Sequence, residues 1–425
     1  MKRSRRDFLK GVFGAAGTLT LVPWKGFAQL PPILIGHQAS LSGFLGSYGF
    51  WHNQAVKAAL KKINDAGGVN GRQLSLVTVD GASNPNTSAN VMEESLLGGD
   101  GSTPVDFVIG SVLSEANYAS APLARESRTP YFAQGVATDI TGSKGNRWVF
   151  KSYHTVQGAV EGGWRWALQN LGTRWTIIHS ELAFATSQAQ AWKEKLGEVQ
   201  AEVVDVISVP FDPASPPALS QYLNLIDTSR TQVLFQAFTA RDSIAFMQQA
   251  SALGLNKSLK VFGISEGVDA LNISSPVFDN TYYISSYPRR SDQVPAALQA
   301  LDQEYRQLIG IAADGQAASD PTKTVPIGDL YGSWQAVHLI QSAIEQTGWK
   351  SRDDHPSLIL ALEGFLYEAS LDFPQGNGFI RANDHQAFQS HYIEHAEGGS
   401  LVVKATSSLD ESFYVPSVDY RTEPF

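Results

Sequence analysis

Residues 33–79 read ILIGHQASLSGFLGSYGFWHNQAVKAALKKINDAGGVNGRQLSLVTV. Ile33 to Ala39 is a short apolar strand. Ser47 is predicted to cap the next helix, because a hydroxyl accepts from the exposed N–H groups of a first turn. Ala55, Val56, Ala59, Leu60 and Ile63 then recur at helical spacing and form one buried stripe. Gly67-Gly68 ends the helix, and Gly71 sits in the turn before a second strand, Leu74 to Val79.

The unit repeats outward from there. Helix 85–97 leads to strand 105–109, helix 115–126, a short strand at 130–133 and another near 148–151. A second series follows: helix 156–170, strand 175–179, helix 185–199, strand 202–208, helix 217–227, strand 232–236, helix 240–253 and strand 259–263. Apolar strands alternating with helices imply parallel sheets covered on both faces, so the fold class is α/β with two doubly wound halves. Three further helices are predicted at 294–310, 329–347 and 356–365, separated by a polar loop at 311–325. A β-rich tail follows, and 405–425 is an extended arm.

Composition narrows the function. The chain has 425 residues, 43% of them hydrophobic, with 41 acidic against 32 basic side chains and no cysteine. That length is enough for two or three domains with sizeable cores. The absence of cysteine excludes disulfides, thiolate metal sites, a cysteine nucleophile and a lipid anchor on cysteine. A net charge of −9 argues against a nucleic-acid partner. Nine tryptophans invite a carbohydrate-stacking reading, but Trp164, Trp166, Trp175 and Trp192 fall in helix or strand patterns that packing explains.

The first 28 residues read as a leader rather than as part of the fold. A basic segment, Lys2 to Lys10, precedes a weakly apolar run from Gly11 to Val22 and small residues at Gly26 and Ala28 that suit a signal peptidase. The apolar run is too short to span a bilayer. Ser4-Arg5-Arg6-Asp7-Phe8-Leu9-Lys10 resembles the twin-arginine export motif. Its loss would remove six basic residues and one acidic residue and take the net charge from −9 to −14. No later stretch is long and apolar enough to be transmembrane, so a soluble periplasmic protein is expected.

Two motifs invite an enzyme reading. Gly263-Ile264-Ser265-Glu266-Gly267 has the G-x-S-x-G form, with His385 and Asp329 or Asp372 as triad partners, but no oxyanion element precedes it and the next helix is interrupted by Asn272 and Pro276. His391-Tyr392-Ile393-Glu394-His395 matches H-x-x-E-H, which binds zinc only on a helix. Here the pattern alternates like a strand before a Glu397-Gly398-Gly399-Ser400 turn, and on a strand the two histidines stand about 13 Å apart.

The turns carry a resemblance. Gly36 to Gly43, Gly49, Ala55 to Asn64, Gly67 to Gly71, Asp80 with Asn84-Pro85, Val108 to Ser114, Pro130 to Thr141, Phe150-Lys151, Glu266-Gly267-Val268, Tyr331 to Ala336 and Arg381 to Gln386 together resemble the periplasmic branched-chain amino acid (Leu/Ile/Val-type) substrate-binding proteins of ABC transporters. The resemblance implies the type I periplasmic binding protein fold, with two lobes and a three-segment hinge that closes on a small molecule. The expected division is 29–150 plus 284–388 for one lobe and 151–283 plus 389–404 for the other, with crossovers near 151, 283 and 389.

By the same resemblance, Ser114 holds a ligand carboxylate, with Leu113 beside it in the turn. Gln134 and Gly135 offer backbone groups, Glu266 receives a ligand ammonium, and Tyr48 lines the pocket. Tyr153, Phe184 and Phe238 fall at second-lobe turns near the cleft. Val136 stands where the family carries a ligand-binding threonine, which removes one hydroxyl donor and counts against a plain α-amino acid. Asp329 is a further acid toward the cleft. The implied protein is a monomer without cofactor that receives an amino acid, an amide or an aromatic acid and delivers it to an ABC permease in the inner membrane. A ligand sensor of the same fold is the alternative, and a hydrolase using Ser265 a distant third.

Overall fold

The computed structural model describes residues 30–264 and 275–425. The leader, together with Ser265, Glu266 and Gly267, lies outside the described residues. In the first half, β1 (Ile33–Ala39), α1 (Gly46–Asp65), β2 (Leu74–Asp80), α2 (Pro85–Val91), β3 (Phe107–Gly110), α3 (Ser114–Glu126), β4 (Tyr131–Ala133) and β5 (Val149–Lys151) build a five-stranded sheet in the order β2-β1-β3-β4-β5. All its strand pairs are parallel.

The second series is α4 (Val156–Asn170), β6 (Arg174–Ser180), α5 (Ala183–Glu198), β7 (Glu202–Val209), α6 (Ser220–Leu223), β8 (Val233–Ala237), α7 (Ala240–Ala252), α8 (Leu255–Ser258), β9 (Lys260–Ile264) and β10 (Thr281–Ser285). The chain then returns to the first lobe through α9 (Gln299–Ile309), the hairpin β11 (Gln316–Ala317) and β12 (Asp320–Thr324), α10 (Ile327–Thr347) and α11 (His355–Leu362). A small antiparallel sheet follows, made of β13 (Leu366–Tyr367), β14 (Gly378–Ile380) and β15 (Ala387–Phe388). Last come β16 (Tyr392–Glu397) and β17 (Ser400–Thr406), which join the second sheet in the order β17-β16-β10-β9-β8-β6-β7. The second lobe is therefore not purely parallel: β16 runs antiparallel to β10 and pairs with β17 as a hairpin.

Several local expectations are corrected. Ser47 does not cap α1: the helix starts at Gly46, and the N–H of its cap residue Leu45 donates to Ser83 Oγ at 3.1 Å, from a neighbouring turn. Of the helix expected at 217–227, only four residues form, because Pro213, Pro216 and Pro217 crowd its start. Pro295 likewise delays α9 to Gln299. The helix expected over 85–97 changes to a π-turn at Met92–Leu96, and the polar loop at 311–325 contains the β11–β12 hairpin.

The chain passes between the lobes after β5, after β10 and between β15 and β16. The arm beyond Thr406 makes a fourth pass. Ser412 binds His391 and Gln389, the Tyr414 hydroxyl accepts from Thr155 at 3.2 Å, and Tyr420 reaches Asn383 and Gly142 in the first lobe. Arg147, ion-paired with Glu363 at 3.0 Å, takes the Phe425 ring 3.8 Å below its guanidinium. Burial alone would raise Glu363, but hydrogen bonds from His385 and Arg147 outweigh it and hold the carboxyl below its usual range.

Ser265 lies outside the described residues, but its expected partners and the second motif have structural roles. His385 is a core residue, stacked on Phe150 at 4.1 Å and tied to Val149 O and Glu363. Asp372 pairs with Lys62 at 2.6 Å. In the strand β16, His395 pairs with Glu397, while burial pushes the Glu394 carboxyl up to about 6 as it accepts from the Arg289 N–H.

Candidate functional site

Strand-to-helix turns of both lobes meet at one enclosed cavity. On the first lobe, the β3–α3 turn is fixed from below. Gly110 has φ +121, and a Cβ there would stand 2.2 Å from Gln38 O, so only glycine lets β3 turn. The Asn117 amide then donates to Ser111 O and to the Tyr131 hydroxyl, both at 2.8 Å, while its Oδ1 accepts the Gly135 N–H at 2.7 Å. The Tyr131 hydroxyl in turn donates to Gln38 Oε1 at 2.9 Å. This network holds the 111–114 and 134–137 turns in register and presents Ser114 at the first position of α3. The Ala116 N–H already donates to Leu113 O at 3.0 Å, but the N–H groups of Ser114 and Glu115 precede any intrahelical acceptor, and the helix dipole adds partial positive charge, a combination suited to an anion.

The cavity is lined by Tyr48, Leu113, Ser114, Gln134, Val136, Tyr153 and Phe184 of the expected set. Gly135 is not among the lining residues, and its backbone is committed internally: its N–H goes to Asn117 and its carbonyl accepts from the Lys151 ammonium. A Cβ at Gly135 would lie 2.4 Å from Asn117 Oδ1 and 2.8 Å from Ser114 Cα, so the glycine permits close approach to α3 rather than to a ligand. Phe238 is also elsewhere. It is fully buried in the core beneath α7, stacked on Phe246 at 5.4 Å, and its neighbour Thr239 takes the place at the cavity. Glu266 lies outside the described residues.

Sequence reasoning missed Phe44, Leu45, His52, Val112, Leu182 and Thr239, and left Asp329 outside the expected set. Phe44, Tyr48 and His52 recur at intervals of four, a signal legible in the sequence. His52 is buried, its Nδ1 2.7 Å from Ser333 Oγ. Burial lowers its pKa to about 4 against the opposing pull of Asp329, so the ring is neutral at pH 7. Asp329 opens α10 and pairs with His154 Nε2 at 3.1 Å. Lys151, fully buried, is pushed well below its usual value by burial, with Asp329 opposing.

The lips of the cleft touch. Ala183 N–H donates to Glu115 Oε1 at 2.6 Å, Thr138 N–H donates to Ser187 Oγ at 3.2 Å, and Phe44 packs on Phe211 with centroids 4.8 Å apart. Two α/β lobes in contact across a cavity, with repeated chain crossings behind it, define a closed two-lobed clamp.

The chain belongs to the periplasmic binding protein family, whose model matches residues 32–400. It is 28% identical over 179 residues to the Leu/Ile/Val-binding protein homolog 2 of Brucella abortus, a match covering 41% of this chain and 46% of that one. It is 21% identical over 245 residues to homolog 8 of the same organism, covering 56% and 59%. The chain thus spans about half the length of the curated relatives it matches. Among solved structures, it resembles an ABC transporter solute-binding protein from Rhodopseudomonas palustris BisB5 in complex with 3,4-dihydroxybenzoic acid, at TM-score 0.73 and 22% identity, covering 89% of this chain and 98% of that one. It also resembles an amino acid ABC transporter substrate-binding protein from Pseudomonas fluorescens Pf-5, at TM-score 0.73 and 20% identity, covering 90% and 97%. The fold is the type I periplasmic binding protein fold.

Proposed function

We propose that the protein is an extracytoplasmic solute receptor that closes on a small organic acid, an amino acid or an aromatic carboxylate, and delivers it to an ABC permease. It acts as a binder rather than a catalyst. The observation that carries this reading is the cavity itself, walled from both lobes by aromatic side chains, with Ser114 at the N-terminal turn of α3 on one wall. A carboxylate at that turn gains charge-assisted hydrogen bonds, and closure removes the competing water. Val136, an apolar residue at the cavity wall, favours a planar or apolar ligand body there. The Rhodopseudomonas palustris relatives solved with 3,4-dihydroxybenzoic acid and with benzoate support the aromatic-acid branch, and the Leu/Ile/Val-binding homologues support the amino-acid branch.

A thermal-shift screen over both compound classes identifies the ligand, because tight binding stabilises the folded state by mass action. Titration calorimetry then tests the site. Ser114→Ala and Glu266→Ala are each expected to weaken binding at least tenfold in a folded protein, and unchanged affinity in both would refute the assignment. Export is proposed to use the twin-arginine route. Replacing Arg5 and Arg6 together by lysine is expected to leave the protein in the cytoplasmic fraction, and continued recovery from the periplasm would exclude that route.

A further inference from the structure

Behind the cleft lies a second, smaller chamber. Val136 and Asp329 wall both cavities; His154, Gln188, Ser285, Ser286 and His391 form the chamber's polar wall, gathered from α5 and from the segments that join the lobes, and Ala159, Ile264 and Ile284 its apolar one. Three polar atoms on its walls have no hydrogen-bond partner among the described residues: His154 Nδ1, Gln188 Oε1 and His391 Nε2. Gln188 is 2% and His391 3% exposed. One such buried atom costs about 1–3 kcal/mol, so three around one chamber mark a place shaped for a polar group.

The other ends of these side chains are fixed. His154 Nε2 faces Asp329 Oδ1 at 3.1 Å, and His391 Nδ1 meets Ser412 Oγ at 3.0 Å. The chamber therefore mainly presents acceptors. Gln188 Oε1 can only accept. Ser286 donates its hydroxyl proton to Gly328 O, which leaves its oxygen as an acceptor, while Ser285 donates to Tyr287 O and already accepts the Tyr287 N–H at 3.2 Å. Ser412 spends its hydroxyl proton on Gln389 O, so the His391 ring, kept neutral by burial, donates from Nδ1 to Ser412 Oγ and leaves Nε2 as an acceptor.

We infer that this chamber is the far subsite of the cleft and takes a hydrogen-bond-donating substituent, a hydroxyl or amino group, on a ligand whose carboxylate lies at Ser114. The inference rests on the receptor reading above and adds which ligands within its two classes are preferred. A second carboxylate would meet acceptors there and be rejected.

The test is calorimetry on the full protein with ligand pairs that differ by one hydroxyl: 4-hydroxybenzoate against benzoate, and tyrosine against phenylalanine, with 4-methoxybenzoate as the same-shape analogue that cannot donate. The hydroxylated member of the pair that binds is expected to be at least tenfold tighter, and methoxybenzoate no tighter than benzoate. Gln188→Leu is expected to shrink the ratio between the two members to threefold or less. Equal affinities in the wild-type protein, as for a chamber that holds only water, overturn the subsite and leave the receptor reading standing. A preference that survives Gln188→Leu places the hydroxyl elsewhere and also overturns it. Binding of neither pair overturns the subsite, while the receptor reading falls only if the thermal-shift screen finds no ligand in either class. The wild-type comparison does not depend on the variant folding.

Discussion

Acidification from pH 7 to below pH 5 is expected to unfold the protein cooperatively. His37, His52, His338 and His355 are buried, and burial lowers each pKa to about 4. In the unfolded chain each titrates near 6.5. Because the folded values are the lower ones, the folded state stays unprotonated where the unfolded chain takes up protons. Their contribution is complete above pH 6.5 and is lost as the pH falls toward 4. Each of His37, His52 and His355 loses about 1.4 kcal/mol per pH unit in that window, hence about 2 kcal/mol by pH 5, of which Glu394, raised to about 6 in the folded state, returns about 1 kcal/mol. A typical folded protein has only about 5–15 kcal/mol in all. Circular dichroism and tryptophan fluorescence between pH 8 and 3.5 measure this directly. A melting temperature at pH 4.5 within a few degrees of that at pH 7 would contradict it.

Gly332→Ala is expected to abolish or severely weaken ligand binding, although alanine is the better helix former by about 1 kcal/mol. Gly332 lies within α10, where its missing side chain makes room for the cavity wall. A Cβ there would stand 2.7 Å from the Tyr153 ring and 2.9 Å from Gln134 Oε1. Neither can give way easily. The Tyr153 hydroxyl donates to Gln134 O, the Gln134 amide donates to Ser152 Oγ at 3.1 Å, and Gln134 Oε1 accepts from Ser333 at 3.3 Å. Displacing them moves two lining residues together, so affinity is expected to fall more than tenfold along with a lower melting temperature. Gly197→Ala is the matched control: Gly197 sits in α5, and a Cβ there meets nothing within 4 Å. It should bind ligand normally and melt slightly higher. Equal calorimetric affinity in the two variants would dismiss the argument.

The alternation of strands and helices was legible because it rests on local periodicity, and so was the cavity wall at Leu113, Ser114, Gln134 and Val136, which sits where strands end. The errors arose where one residue or one distant contact decides. Phe238 and Thr239 are adjacent, yet one is turned into the core and the other to the cleft, a choice made by how α7 leaves β8. Ser47 looked like a cap, but Ser83, brought from another turn, serves the start of α1 instead. Gly135 is expected to offer its backbone to a ligand, but its N–H and carbonyl are taken by Asn117 and Lys151, and its missing side chain makes room for α3. Asp329, His154 and His391 converge from segments far apart in the chain, and no local pattern announces such a meeting.

The fourth pass of the chain has a mechanical consequence. Three strands of backbone at a hinge permit both bending and some torsion, because each can lengthen or slide separately. The arm from Ser407 onward is laced to Thr155 and His391 beside two of those crossings and is then anchored at Asn383, Gly142 and Arg147 on the far lobe. It acts as a stay laid alongside the spine of a book. Opening of the lobes is expected to stretch the segment between Tyr414, held at Thr155, and Tyr420, held at Gly142.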